Sequence, residues 1–467
     1  MRKRSALLVV GLLVLQSVGL AQTKLIEKVE KKGDEIVIPY EKYKLDNGLT
    51  LIVHEDHSDP LVHVDVTYHV GSAREELHKS GFAHFFEHMM FQGSKHVADE
   101  EHFKIITDAG GTLNGTTNRD RTNYFETAPS NQLEVLMWLE ADRMGFLLPA
   151  VTQKKFEIQR ATVKNEKQQN YDNRPYGQYR EINAEALYPY GHPYSWLTIG
   201  KLKDLDRVDV TDLKKFFLRW YGPNNATLTV GGDVNPKDVV KLAEKYFGDI
   251  PRGPEVQDMH LPKVTIDKDR YVSYVDKNIR FPALLFTYPT VPRYHEDEPA
   301  LDFLSQILGT GKSSYFYKKF VKTRKAIQAS TFHPTEELAG EFTMFVLPYP
   351  GQTLSDFEGE MRQILENFEK DGVSDEDLTK IKASYESDFI NGLASVSGKV
   401  SQLASYETFA HNPNYIQKDL ERYHSVTKED IMRVFHKYIY HKPAVIQSVL
   451  PDDGTEPAKP DNFVAQA

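Results

Sequence analysis

Ser80-Gly-Phe-Ala-His-Phe-Phe-Glu-His-Met-Met-Phe-Gln92 is the stretch that decides how this chain is read. Within it, His84-Phe-Phe-Glu87-His88 sets two histidines four residues apart. On a helix that spacing puts both imidazoles on one face, one turn apart. Two such rings can hold one zinc ion, and Glu87, beside His88, can reach a water at the same centre. The arrangement is the inverted order of the zinc-binding H-E-x-x-H pattern. The helix is expected over 81–92, with Ser80 placed to cap it. The five-residue pattern also arises by chance, so the rest of the chain must supply a third ligand.

The chain has 467 residues, too many for one ordinary core, and two or three domains are expected. It contains no cysteine. Disulfides, iron–sulfur clusters, thiolate zinc sites and cysteine nucleophiles are therefore excluded, and any metal must be held by His, Asp or Glu. A formal charge of −10 argues against a nucleic-acid partner. Residues 1–21 read as a cleaved secretory signal. Arg2-Lys3-Arg4 is the basic start, 6–15 the apolar run, and Gly19 and Ala21 the small residues before the cut. The apolar run is short for a membrane span, so no stable span is expected after cleavage. An exported chain without disulfides suits a bacterial periplasm, the expected location.

Residues 22–40 read as a charged lead-in. Leu45-Asp-Asn-Gly48 is a turn signal ahead of a strand at 49–53. Val62, Val64, Val66, Tyr68 and Val70 alternate with His63, Asp65, Thr67 and His69. That is the period of a strand with one buried face, and it leaves His63 and His69 on the polar side, solvent-facing or lightly packed. Helices are expected near 99–108, 131–146, 152–169, 210–220 and 236–247. Strands are expected at 122–127 and 225–232, with a flexible polar stretch at 110–118. Pro251-Arg-Gly-Pro254 opens a linker. A second series of strands and helices follows without an H-x-x-E-H. The expected fold class is α+β: domains at 42–250 and 265–450, joined by 251–264, each a mixed sheet packed with helices. The Asp- and Pro-rich tail at 451–467 reads as disordered.

Catalytic zinc takes three protein ligands and keeps one position open. The helix at 152–169 offers Glu157 and Glu166 for the third. Glu166 has apolar residues on the neighbouring face, but spacing alone does not choose between the two.

Longer stretches carry a resemblance. They are Leu45-Asp-Asn-Gly-Leu-Thr-Leu-Ile-Val53, Gly71-Ser-Ala-Arg-Glu75, the segment 81–93, Gly110-Gly-Thr-Leu-Asn114, Thr122-Asn-Tyr-Phe125 and Trp220-Tyr-Gly-Pro-Asn-Asn225. Together they resemble the pitrilysin/insulinase family of zinc peptidases, in its bacterial, mitochondrial-processing-peptidase-like branch. The resemblance spans about residues 42–450. It implies two homologous domains forming one half of a clam-shell around a closed chamber. It implies one zinc ion per chain, held by His84, His88 and Glu166, with Glu87 as the general base. It also implies that Gly111, Thr112 and Asn114 lie on an edge that pairs with substrate backbone. The function expected is that of a zinc-dependent endopeptidase subunit acting on peptides or unfolded segments.

Two positions depart from the family's pattern. A glutamate usually stands seven residues before the third ligand; here it is Gln159, two turns away on the same face, which can hydrogen-bond but carries no charge. Active members complete the site with an Arg and a Tyr from a C-terminal domain; the matching positions here are Val321 and Gln328. A heterodimer is therefore expected, in which a non-zinc homologous subunit supplies the Arg and Tyr; a homodimer is the other arrangement. The alternative functions are a non-catalytic or weakly active assembly subunit of the same fold and a periplasmic peptide- or solute-binding protein. Leu308-Gly-Thr-Gly-Lys-Ser313 imitates a phosphate loop, but its required first glycine is Gln306.

Overall fold

A computed structural model describes residues 23–33 and 35–466; the secretory-signal reading of 1–21 lies outside them. The first sheet holds β1 (Lys24–Val29), β2 (Tyr40–Lys44), β3 (Thr50–Glu55), β4 (Leu61–Tyr68), β5 (Thr112–Thr117), β6 (Thr122–Pro129) and β7 (Ala226–Gly232). Their order across the sheet is β1-β2-β3-β7-β4-β6-β5. The second sheet holds β8 (Arg270–Val275), β9 (Ala283–Pro289), β10 (Ala326–Phe332), β11 (Glu341–Pro348) and β12 (Val445–Leu450), ordered β10-β11-β9-β12-β8. The parallel pairs are β3–β7 and β8–β12.

Counted from β3 and from β8, both sheets follow one rule: first, last, second, fourth, third. The same five-stranded unit is present twice, and β1 and β2 extend the first copy. β1 corrects the lead-in reading of residues 22–40. It pairs antiparallel with β2 but is mostly exposed, so backbone pairing holds it and no apolar alternation announces it.

Helices α1 (Phe82–Met89), α2 (Glu101–Asp108), α3 (Leu133–Phe146), α4 (Gln153–Lys167), α5 (Tyr179–Leu187), α6 (Leu202–Arg207), α7 (Val210–Trp220) and α8 (Pro236–Phe247) accompany the first sheet. With the second come α9 (Glu298–Gly309), α10 (Leu354–Asp371), α11 (Asp375–Gly392), α12 (Val396–Ala410), α13 (Ile416–His424) and α14 (Lys428–Tyr438). In the first copy the segment between the second and third strands carries α1; in the second copy it carries α9, whose sequence has no histidine.

One face of the first sheet forms a core through Leu51, Val53, Val62, Val64, Val66, Leu228 and Val230 with residues of α1, α3 and α8. The opposite face does not meet water. α12, from the second half, lies across β7 and β4. Contact is so close at Gly231 that a Cβ there would stand 2.5 Å from Val400 Cγ2. Ile52 and Tyr40 share a cluster with Leu403 and Tyr406, while Lys399 pairs with Asp56 at 2.6 Å and Lys42 with Glu407 at 2.7 Å.

This covering helix corrects the reading of His63 and His69. His63 is only 2% exposed, its Nδ1 lying 2.7 Å from Thr127 Oγ1. His69 is half-buried, with Nε2 2.7 Å from Glu337 Oε2 in the second half. Alternation tells which residues share a face; it does not tell whether that face meets water or another element.

The tail expected to be disordered instead packs along the second sheet. Ala458 is buried and its N–H donates to Ser448 Oγ. Asn462 Oδ1 accepts from Tyr271 N–H, Asn462 Nδ2 donates to the Asp269 carbonyl, and Arg270 lies over the Phe463 ring at 4.5 Å. Pairing to main-chain groups of β8 orders a segment whose composition alone offers no core.

Candidate active site

The direction of α1 is set before its first turn. Gly81 has φ +94°, in the left-handed region, and a Cβ there would come within 2.9 Å of the Ile199 carbonyl oxygen. Ser80, expected to cap the helix, does not: its Oγ donates to Asp204 at 2.6 Å. The cap is Glu75. Its carboxylate accepts from Gly81 N–H at 2.9 Å, Ala83 N–H at 2.8 Å and Trp196 Nε1–H at 3.0 Å. A carboxylate so placed satisfies otherwise unpaired donors and complements the helix dipole. Burial pulls its carboxyl up to about 8, against the three donors that favour the anion. Aromatic packing then locks the helix: Phe82 on Phe216, Phe85 on Phe156 and Phe86 on Tyr221, with ring centroids 5.7, 4.9 and 4.6 Å apart.

With those faces buried, His84, Glu87 and His88 point the other way. The two imidazoles lie 4.7 Å apart. Their Nε2 atoms stand 3.8 Å and 3.3 Å from one oxygen, Glu166 Oε2, at the end of α4. Three potential ligand atoms thus converge within 4.8 Å of one another. Burial, with the neighbouring His88 adding to it, lowers the His84 pKa to about 4, so that ring is neutral and its lone pair is free. The hydrogen bond to His88 holds Glu166 below the usual carboxylate range. Two imidazoles and one carboxylate, gathered from two helices, fit the donor set of a catalytic zinc with a position left open. His84 Nδ1 is buried without a partner among the described residues, so no carboxylate orients that ring.

Glu157, the other carboxylate offered by the sequence, bonds Gln153 and Arg160 on the exposed side of α4. Gln159 is buried on α4, two turns before Glu166.

Glu87 faces β5. Thr117 Oγ1 donates to its Oε2 at 2.5 Å. Burial raises the Glu87 carboxyl and the Thr117 hydrogen bond opposes the rise. Gly115 makes the approach of helix to strand possible, since a Cβ there would stand 3.0 Å from the Phe91 ring and 3.2 Å from Glu87 Cγ. β5 is the outermost strand, paired only with β6, so its free edge presents backbone groups. The stretch expected to be flexible at 110–118 is largely this strand. Gly111 leads into it, and Thr112 and Asn114 are exposed on it. Val321 ends the turn Tyr317–Val321 and Gln328 lies on β10, at the outer edge of the second sheet.

Sequence reasoning missed Glu75 and Thr117 as functional residues. Glu75 closes the Gly71–Glu75 stretch that carries the resemblance, the one available signal. Thr117 gave none, because its role depends on the register of β5 against α1.

Residues 50–187 match the family described as Insulinase (Peptidase family M16), and residues 207–385 match the one described as Peptidase M16 inactive domain. Zinc protease PqqE of Helicobacter pylori is 30% identical over 435 residues, covering 91% of this chain and 96% of that protein. Among solved structures, a protease from Helicobacter pylori superposes with TM-score 0.82 at 28% identity, covering 89% of this chain and all of that one. The first half of the periplasmic protease PqqL from Escherichia coli gives TM-score 0.74 at 18% identity, over 92% and 94% of the two chains, and shares the fold. A duplicated α+β fold, a His–His–Glu cluster on its first half, and these likenesses together place the chain in the pitrilysin/insulinase family of peptidases, family M16.

Proposed function

We propose that this chain is a zinc-dependent endopeptidase subunit of the periplasm that hydrolyses peptides or unfolded polypeptide segments. The observation that carries the reading is the convergence of His84, His88 and Glu166, with Glu87 beside them and a free strand edge next to Glu87. His84, His88 and Glu166 would hold the metal. When bound, zinc supplies the Lewis acidity that brings a water toward neutral pKa and polarises a peptide carbonyl.

The chain's own residues do the rest. An extended peptide adds to the free edge of β5, with Gly111, Thr112 and Asn114 at the contact, and main-chain pairing fixes its register. Thr117 holds Glu87 through Oε2, which leaves its other oxygen without a hydrogen-bond donor from Thr117. Glu87 takes a proton from the attacking water on its carboxylate and returns it to the leaving nitrogen, the part of a general base and then acid. Gln159, buried on α4 two turns before Glu166, brings no charge to the site. Val321 has no polar donor and Gln328 no charge to set against a developing oxyanion, which favours a second, homologous subunit as the source of the Arg and Tyr.

The family's relatives named as zinc proteases support the peptidase chemistry, and the PqqL likeness supports the location. Among the described residues no helix is long and apolar enough to cross a membrane. The test is metal analysis of the purified chain with a quenched-peptide assay, alone and with candidate partner chains. One zinc per chain is expected, with turnover falling by a factor of about 10²–10⁴ in Glu87→Gln. A chain that binds no zinc and still assembles with a partner would instead be a structural subunit.

A further inference from the structure

Between the outer edge of the first sheet and strands β9 to β11 lies a cavity of about 470 Å³, large enough for a peptide side chain. Two of its walls continue the site described above. Thr117, the donor to Glu87, forms one. Tyr171, one turn beyond Glu166 on the helical continuation of α4, forms another. Along a strand added to β5, alternate side chains leave on one face. Those beside the scissile bond would therefore meet this opening.

The charges of the wall are unequally matched. Arg119 is neutralised, with Glu341 3.1 Å from its guanidinium; Tyr188 donates to the same carboxylate oxygen. Glu336 is half-buried beside Asp120, and desolvation with that neighbouring charge raises its carboxyl to about 7. Arg180 is different. Its side chain is exposed, its Nε donates to Tyr179 Oη at 3.0 Å, and among the described residues no carboxylate stands within ion-pair distance of it, although the charge of Glu341 reaches it. Tyr171 and Tyr179 line the same wall.

We propose that this cavity is a subsite for a substrate carboxylate, the side chain of an Asp or Glu next to the cleaved bond, and that Arg180 reads it. A guanidinium presents a planar fork that matches a carboxylate in two-point contact, which lysine does not. The inference rests on the peptidase reading and narrows it to acidic sequence contexts.

The experiment uses the full chain, zinc-loaded, with quenched peptides that differ only in one residue flanking the cleaved bond: Glu, Gln or Lys. At one of the flanking positions, kcat/KM for Glu should exceed that for Gln by at least about tenfold. In Arg180→Gln the Glu:Gln ratio should fall to about one; Arg180→Glu should turn the preference toward Lys; and Arg180→Lys should retain part of it. Circular dichroism checks that each variant folds. A Glu:Gln ratio equal in wild type and Arg180→Gln overturns the proposal. Anisotropy of the same peptides, fluorescently labelled, on the Glu87→Gln chain scores the subsite without turnover. A Glu-over-Gln preference in binding that Arg180→Gln abolishes upholds the subsite even where nothing is cleaved, in which case only the peptidase reading falls. Equal binding of both peptides overturns the subsite alone.

Discussion

Replacing Gly231 with alanine should push the two halves of the molecule apart, and Val400 should be the residue that feels it. Gly231 lies on β7 and Val400 on α12; an added Cβ falls 2.5 Å from Val400 Cγ2, well inside contact distance. The next neighbour, His54 Cβ, is at an ordinary 3.5 Å, so the strain has one source. Overpacking of this kind costs about 1–3 kcal/mol. Part of it is masked in the single variant, because alanine also narrows the unfolded ensemble by about 0.4–1 kcal/mol. Val400 is fully buried, and Val400→Ala removes two methyl groups, about 1.6 kcal/mol of transfer free energy, with a cavity cost on top. In the double variant the new methyl enters the space the old ones left. Gly231→Ala should then cost nothing further, a coupling of about 1–3 kcal/mol in favour of the pair. Urea unfolding of all four chains, followed by tryptophan fluorescence and far-UV circular dichroism, measures it. If the two single costs simply add, within about 0.5 kcal/mol, α12 does not pack on β7 at this point and the account of the covered face is wrong.

Three further outcomes are expected. Glu75→Ala strands two buried donors, Gly81 N–H and Ala83 N–H, at about 1–3 kcal/mol each, while Trp196 Nε1–H keeps the Ser72 carbonyl, so it should lower the melting temperature markedly and weaken zinc binding by loosening the start of α1; zinc affinity by competition with a chelator, unaltered in that variant, would contradict the capping role. Gly115→Val should cut peptidase turnover by separating α1 from β5, since even a Cβ meets Phe91 and Glu87; full turnover in that variant would show that the close approach is not needed. Acid should destabilise the fold in two windows. Burial lowers His63 to about 4, so between about pH 6.5 and 4 the unfolded chain binds a proton that the folded chain refuses, and stability falls by about 3 kcal/mol as pH drops through that window. Asp56, held below the usual carboxylate range chiefly by Lys399, adds stability above about pH 3.8 that is lost as pH falls through its lower folded value. Unfolding free energies that stay flat from pH 7 to 4.5 would refute the first part, and a Lys399→Met chain with unchanged loss below pH 4 the second.

The resemblance read from the Leu45, Gly71, Gly81, Gly110 and Trp220 stretches and the α+β alternation was legible because each signal is local. A helix repeats every 3.6 residues and a strand every two, and turn residues mark their ends. β1 escaped because an edge strand needs only a partner's backbone, so Lys24–Val29 carries no alternating code. The tail escaped for the same reason: Asn462 and Ala458 are ordered by bonds to β8 and β12, invisible in a composition of prolines and aspartates. His63 was misplaced because its covering helix, α12, lies more than three hundred residues away in the chain.

By itself, the sequence determined that His84 and His88 share a helix face, that Glu87 stands beside them, that no thiol takes part, and that an α+β unit recurs after residue 265. These follow from spacing and composition, which no distant contact can change. Spacing left Glu157 and Glu166 open and the resemblance implied Glu166; the tertiary structure is what brings Glu166 to the histidines and turns Glu157 away. It alone decided that Glu75 and not Ser80 caps α1, that Gly115 and Thr117 admit and hold Glu87, and that the second half seals the far face of the first sheet. Each of those depends on where segments far apart in the chain come to rest, and their positions are set by packing, not by period.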